Sequence, residues 1–159
     1  MILINLKKNE LLYDIEYTCY KVAKIHFLPN APQSAADVAV AEDDRDYIDR
    51  LLHDALTSVE DTLQWCVEKR QRSVASDAIS PERQEYDIEL NINDQARRTM
   101  ADALCSAIHN FVVHSVVYHF LLASATDLAP SYAALAESDL NHAYNLCRNN
   151  SKYKFYSWM

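Results

Sequence analysis

Between Asn93 and Thr126 the mixture of apolar and polar positions gives way to an almost unbroken apolar run, with MADALCSAIHNFVVHSVVYHFLLASA at its centre. Leu104, Ala107, Ile108, Phe111, Val112, Ser115, Val116, His119 and Leu122 fall on one helical face, and Val113, Val117, Phe120 and Leu121 on another. No Asp, Glu, Lys or Arg occurs between Asp102 and Asp127. A helix apolar nearly all round must be surrounded, so this one is predicted to be the central helix against which the others pack. Asn93 or Asp94 can cap its start, and Asp127 with Pro130 marks its end near Ala125.

The rest of the chain divides around it. A first helix is predicted from about Asn5 to Phe27, where Leu11, Leu12, Ile15, Cys19, Val22, Ala23 and His26 recur every three or four residues. Pro29 and Pro32 close it, and Asn30 to Ala41 reads as a loop. A second helix carries the stripe Ile48, Leu51, Leu52, Ala55, Leu56, Val59, Leu63, Cys66 and Val67. Asp43, Asp44 and Asp46 crowd its start and Lys69, Arg70 and Arg72 its end, as the helix dipole favours. After a loop from Ser73 to Pro81, EYDIELNIN alternates, with Tyr86, Ile88, Leu90 and Ile92 facing one way. A lone strand leaves backbone groups unpaired, so it must pair with MILIN at the start of the chain or with another copy. A last helix, about Leu128 to Arg148, turns Tyr132, Leu135, Ala136, Leu140, Ala143, Leu146 and Cys147 inward, antiparallel to the central one. The expected fold is a single all-α domain over residues 1–159: a bundle of about four main helices with a short extended or β segment near residues 85–92.

Composition narrows the chemistry. The sequence contains no glycine, where a chain of this length ordinarily holds about 11. That removes glycine-dependent phosphate loops, the dinucleotide fingerprint and the G-x-S-x-G nucleophile elbow, and it disfavours tight hairpins. A formal net charge of -8, from 23 acids against 15 Lys and Arg, argues against specific nucleic-acid binding and against an anionic membrane surface. Cys19, Cys66, Cys105 and Cys147 are widely spaced with no C-x-x-C, which points to a reduced cytoplasm. The opening MILINLKKN is too short an apolar run for a signal peptide. His109, Asn110, His114 and His119 break the central run, so no membrane span is expected.

Candidate chemistry is thin. His109, His114 and His119 are spaced by five, about 140° apart at each step, and cannot share one ion. Asp139 and His142, with Asp49 and His53 facing them, have a spacing used by carboxylate-bridged metal bundles. The central helix adds no carboxylate to such a site. Cys105 with His109 is one helical turn apart, yet Cys105 sits in the apolar run and reads as a small core residue. Asp43, Asp44 and Asp46 read as a helix start, and Trp65 as either core or contact. No catalytic residue, metal site or cofactor is expected. The tail after Arg148 differs in kind. Tyr153, Phe155, Tyr156 and Trp158, with Lys152 and Lys154, are residues that carry interface energy. The tail, residues 150–159, either folds back on the bundle or docks on a neighbour. Tyr86, Ile88 and Leu90 of the extended segment are the other candidate partner contacts.

The segment AEDDRDYIDRLLHDALTSVEDTLQW resembles a helix of the head-tail connector, or adaptor, proteins of tailed bacteriophages. Asp43, Asp44 and Asp46, then Ile48, Leu51, Leu52, Ala55, Val59 and Glu60, carry the likeness. The later AIHNFVVHSVVYHFLLASATDLAPSYAALAESDLNHAYNLC is similar to the paired C-terminal helices of small structural proteins from prophages of gut Bacteroidetes. The resemblance implies a non-enzymatic structural or assembly protein of head-tail connector or completion type. It would bind copies of itself, as a homo-oligomer or ring, and other phage structural proteins such as a portal. Its implied location is the cytoplasm of the bacterial host, and then the virion. A cytoplasmic helical protein-binding adaptor or regulatory module is the alternative, and a metal-dependent helical-bundle enzyme comes third.

Overall fold

A computed structural model describes residues 1–27, 40–67, 84–92 and 98–150. In chain order these form strand β1 (Ile2–Lys7), helix α1 (Lys8–Val22), a π-helical turn (Ala23–Phe27), a 3-10 turn (Glu42–Asp44), helix α2 (Arg45–Thr62), strand β2 (Glu85–Leu90), helix α3 (Arg98–Ser124) and helix α4 (Ala129–Asn150). The expected all-α bundle of four helices with a short β segment is what the chain forms. The tail, with Tyr153, Phe155, Tyr156 and Trp158, lies outside the described residues. So do the loop from Ser73 to Pro81, all but the last two residues of the loop from Asn30 to Ala41, and Asn93 and Asp94, the candidate caps of the central helix.

The strand segment finds its partner inside the chain. β1 and β2 pair antiparallel, with Ile2 opposite Leu90, Ile4 opposite Ile88 and Leu6 opposite Tyr86. The pairing corrects the start of the first helix. Asn5, Leu6 and Lys7 are strand, because Ile4 and Leu6 alternate with Leu3, Asn5 and Lys7 and bury one sheet face on the helices. The helix begins at Lys8, whose amide donates to the carbonyl of Gln84 at 2.8 Å.

A second correction concerns the far end of α2. The stripe predicts helix through Leu63, Gln64, Trp65 and Cys66, yet the helix ends at Thr62 and these four residues form a turn. The amides of Cys66 and Val67 donate to the carbonyl of Leu63 at 2.8 and 2.9 Å. Val67 then bridges to Leu90, and the amide of Asn91 donates to the carbonyl of Cys66 at 2.7 Å. Leu63 and Cys66 remain buried, so an apolar stripe at helical spacing is satisfied by a turn that reaches the sheet. At its start, Asp44 accepts a hydrogen bond from the amide of Ala41 at 2.8 Å and opens the segment.

α3 is the hub. Leu104, Ile108, Val112, Val116, Val117 and Leu121 have no measurable exposure, and the helix touches α1, α2, α4 and β1. Met100–Ser124 is long and apolar enough to span a membrane by length and composition; its most apolar 18-residue window has a mean hydropathy of 1.3, and 56% of that window is buried inside the protein. Its last turns depart from expectation. His119 and Leu122 are exposed, although Leu122 lies about five full turns after Leu104 and so on the same face. The cover over Leu104 does not extend to that end of the helix.

α4 returns along α3 after the turn at Ala125 to Leu128. Its buried seam is Ala129, Ala136, Ala143 and Cys147. Small residues at intervals of seven let the two helices approach closely. Leu135, expected inside, is 46% exposed, because close approach at the alanines leaves no room for it on the seam.

Candidate functional site

Among the described residues, three polar pairs sit at the margins of the apolar core. Lys8, at the junction of β1 and α1, places its ammonium 2.7 Å from Oδ2 of Asp49 on α2, with side chains 9% and 14% exposed. Nε2 of His109 on α3 lies 2.9 Å from Oδ2 of Asp14 on α1. Nδ1 of His114 lies 2.7 Å from Oδ2 of Asp139 on α4. Each pair joins two helices, and α3 is thereby tied to α1 on one side and to α4 on the other. A buried charge with a partner avoids the desolvation cost it would otherwise carry.

The residues singled out by spacing have other partners or face solvent. Asp49 is held by Lys8 and Asp139 by His114, while His53 and His142 point to solvent. Among the described residues no three His, Cys, Asp or Glu side chains converge as a group able to hold an ion. His119 stacks at a tilt on Tyr118, ring centroids 4.8 Å apart.

The thiols are poorly set for nucleophilic work. Burial, with a contribution from Glu16, pushes the Cys19 thiol up to about 12. Burial and the nearby Asp102 raise that of Cys105, which disfavours the thiolate that a nucleophile beside His109 would need. Tyr132 is raised by burial and, less, by the charge that Cys19 would carry. Cys66 differs: the Cys147 side chain hydrogen-bonds to it and lowers it, while the same bond and burial raise Cys147.

The extended segment requires a correction at the level of side chains. Ile88 and Leu90 are 3% and 0% exposed in the chain's own core, so they offer no contact surface to a partner while this fold is kept. Tyr86 is half-buried. It lines a shallow cleft with His53, Leu56, Thr57, Glu60, Asp87 and Ile88, whose cavity volume of about 20 Å³ holds roughly one water. The outward sheet face carries Leu3, Asn5 and Lys7 opposite Glu89, Asp87 and Glu85. The side-chain Nδ2 of Asn5 donates to both Glu85 Oε2 and Asp87 Oδ1, at 3.1 and 2.8 Å.

One surface was legible in the sequence and not singled out there. Tyr13, Tyr17 and Tyr20, at i, i+4 and i+7 on α1, face away from the stripe Leu11, Ile15, Cys19 and Val22, and are 63%, 46% and 51% exposed. The rings of Tyr13 and Tyr17 are stacked with centroids 6.1 Å apart. The ammonium of Lys21 lies 4.7 Å over the ring of Tyr17. Ile25 continues the exposed apolar surface into the π-helical turn. Tyrosines and cations in a row on a helix face are the composition that protein interfaces favour.

No protein-family model, curated protein or solved structure matches this chain.

Proposed function

We propose that this protein is a non-enzymatic structural or assembly protein of the prophage head-tail connector or completion type. It acts through contacts between copies and with other phage structural proteins such as a portal, first in the host cytoplasm and then in the virion. The observation that carries the reading is the exposed row of Tyr13, Tyr17 and Tyr20 on α1, continued by Ile25. A row of this kind is contact surface rather than core, and the tail sequence with Tyr153, Phe155, Tyr156 and Trp158 has the composition of a second. Two different surfaces on one chain make heterologous contacts, which close into rings when the rotation allows. The acidic balance of the chain, with Glu85, Asp87 and Glu89 along one sheet face, suits a channel that lets DNA pass without gripping it.

Light scattering of the purified full chain across a range of concentrations, alone and with a phage portal ring, tests this. Assembly that weakens in a Tyr13→Ser, Tyr17→Ser variant of unchanged helical content is the expected result. A strict monomer at every concentration, with no association to a portal, overturns it and leaves the same surface to a monomeric adaptor holding some other protein.

A further inference from the structure

The outer face of α1 carries charge in a definite order. Glu10 stands one turn before Tyr13, and Lys24 one turn beyond Tyr20 with Lys21 between; all three charged residues are exposed. At about 100° per residue, Glu10, Tyr13, Tyr20, Lys21 and Lys24 all fall within about 60° of the direction of Tyr17. The remaining carboxylates of the helix are engaged within the chain, Asp14 with His109 at 2.9 Å and Glu16 with Arg45 at 3.7 Å. Among the described residues neither Glu10 nor Lys24 has an ion-pair partner. The tyrosine row therefore ends in an unpaired acid on one side and an unpaired base on the other.

A face in that order matches itself when reversed. Glu10 and Lys24 are equally far from Tyr17 along the chain. In an antiparallel pair with its two-fold axis at Tyr17, Glu10 of one copy comes opposite Lys24 of the other, and Tyr13 opposite Lys21. Tyr17 meets its own counterpart. Two-fold symmetry makes every such contact twice. Each Lys21 ammonium, already 4.7 Å over the ring of Tyr17 in its own chain, comes opposite a second tyrosine ring. A parallel pair would instead set Glu10 on Glu10 and Lys24 on Lys24.

We propose that this face is a self-recognition surface, through which two copies of the chain pair antiparallel about a two-fold axis at Tyr17. The proposal rests on reading the row as a contact between copies, and it names the partner of the row as the same row. Tyrosines about half exposed leave roughly 100 Å² each to be covered. Two rows with their flanking residues then bury about 1,000 Å², the lower end for a specific contact. The pair is accordingly weak and concentration-dependent. Both rows are covered in it, so it is a closed form of the free chain, and a head-to-tail contact through the row requires it to open first.

The test is a charge exchange, read by light scattering of the full chain alone over a range of concentrations. Glu10→Lys places four lysines at the two ends of the pair, and Lys24→Glu places four glutamates there. Each variant, with its helical content unchanged, should pair about tenfold more weakly than the natural chain. An equimolar mixture of the two variants should recover the natural strength, because a mixed pair has Lys opposite Lys24 of neither copy: each base faces an acid again. A natural chain that stays monomeric at every concentration overturns the proposal. So do variants that pair as well as the natural chain, or a mixture that pairs no better than its components. No portal is present in this measurement, so its outcome stands apart from portal association, on which the assembly role is judged.

Discussion

The ammonium of Lys8 and the carboxylate of Asp49, 2.7 Å apart, tie the first residue of α1 to the early turns of α2 with both side chains largely removed from water. Removing one charge strands the other. Lys8→Met is expected to destabilise the domain by about 3 kcal/mol, and the double variant with Asp49→Leu to recover most of that loss. Urea unfolding of the two variants checks it. A double variant as unstable as the single would mean that Lys8 acts through something other than Asp49.

The two histidine pairs should differ in weight. Asp139 is mostly covered, whereas Asp14 is 46% exposed and loses less by returning to water. His114→Ala is expected to cost about 1–2 kcal/mol and His109→Ala less than about 1 kcal/mol. Denaturant midpoints at neutral pH give the order directly, and the reverse order would contradict the assignment.

Cys19 predicts an alkaline limit. Its thiol is held protonated in the fold, up to about 12 against an ordinary value near 9. A group raised in the folded state contributes stability that is fully present below its unfolded value and is lost as pH climbs toward the folded one. Thermal stability should therefore fall from pH 9 upward, and Cys19→Ala should flatten that decline. The same protonation makes Cys19 slow to alkylate at pH 8. Rapid modification of Cys19 in the folded chain would refute its burial.

The seam between α3 and α4 makes a third kind of demand. Ala143→Leu should cost about 1–3 kcal/mol by forcing the helices apart, although it adds apolar surface. Leu135→Ser, on the exposed side of the same helix, should stay within about 0.5 kcal/mol. Val116→Asp should unfold the chain, since Val116 has no exposure and an unpaired buried charge costs several kcal/mol. Circular dichroism melts of the three variants separate these outcomes.

The helices were legible in the sequence where apolar residues kept helical spacing. The absence of charge from Ala103 to Thr126 marked α3 as the hub before any coordinates, because only surrounding protein can cover a helix apolar on every side. The alternation of Tyr86, Ile88, Leu90 and Ile92 likewise gave β2 its inward face. The same pattern was silent on where elements stop. Asn5 to Lys7 satisfy helical spacing and strand alternation equally, and pairing with Glu85 to Asp87 decided for the strand. Leu63 and Cys66 continue a helical stripe and are buried all the same, because the chain turns there to meet Leu90.

Polar partners were beyond the reach of pattern for a similar reason. The spacing of His109 and His114 shows only that they face different ways. That Asp14 waits for one and Asp139 for the other depends on how α1 and α4 are laid against α3. The row Tyr13, Tyr17 and Tyr20 could be read from the sequence as one helical face. That it is left uncovered among so many buried faces depends on the whole packing. Sequence by itself determined the helical class, the hub and the lack of glycine-built chemistry, since these follow from local spacing and composition. Only the tertiary structure decided the helix ends, the polar clamps and the exposed tyrosines, since each depends on groups brought together from distant parts of the chain.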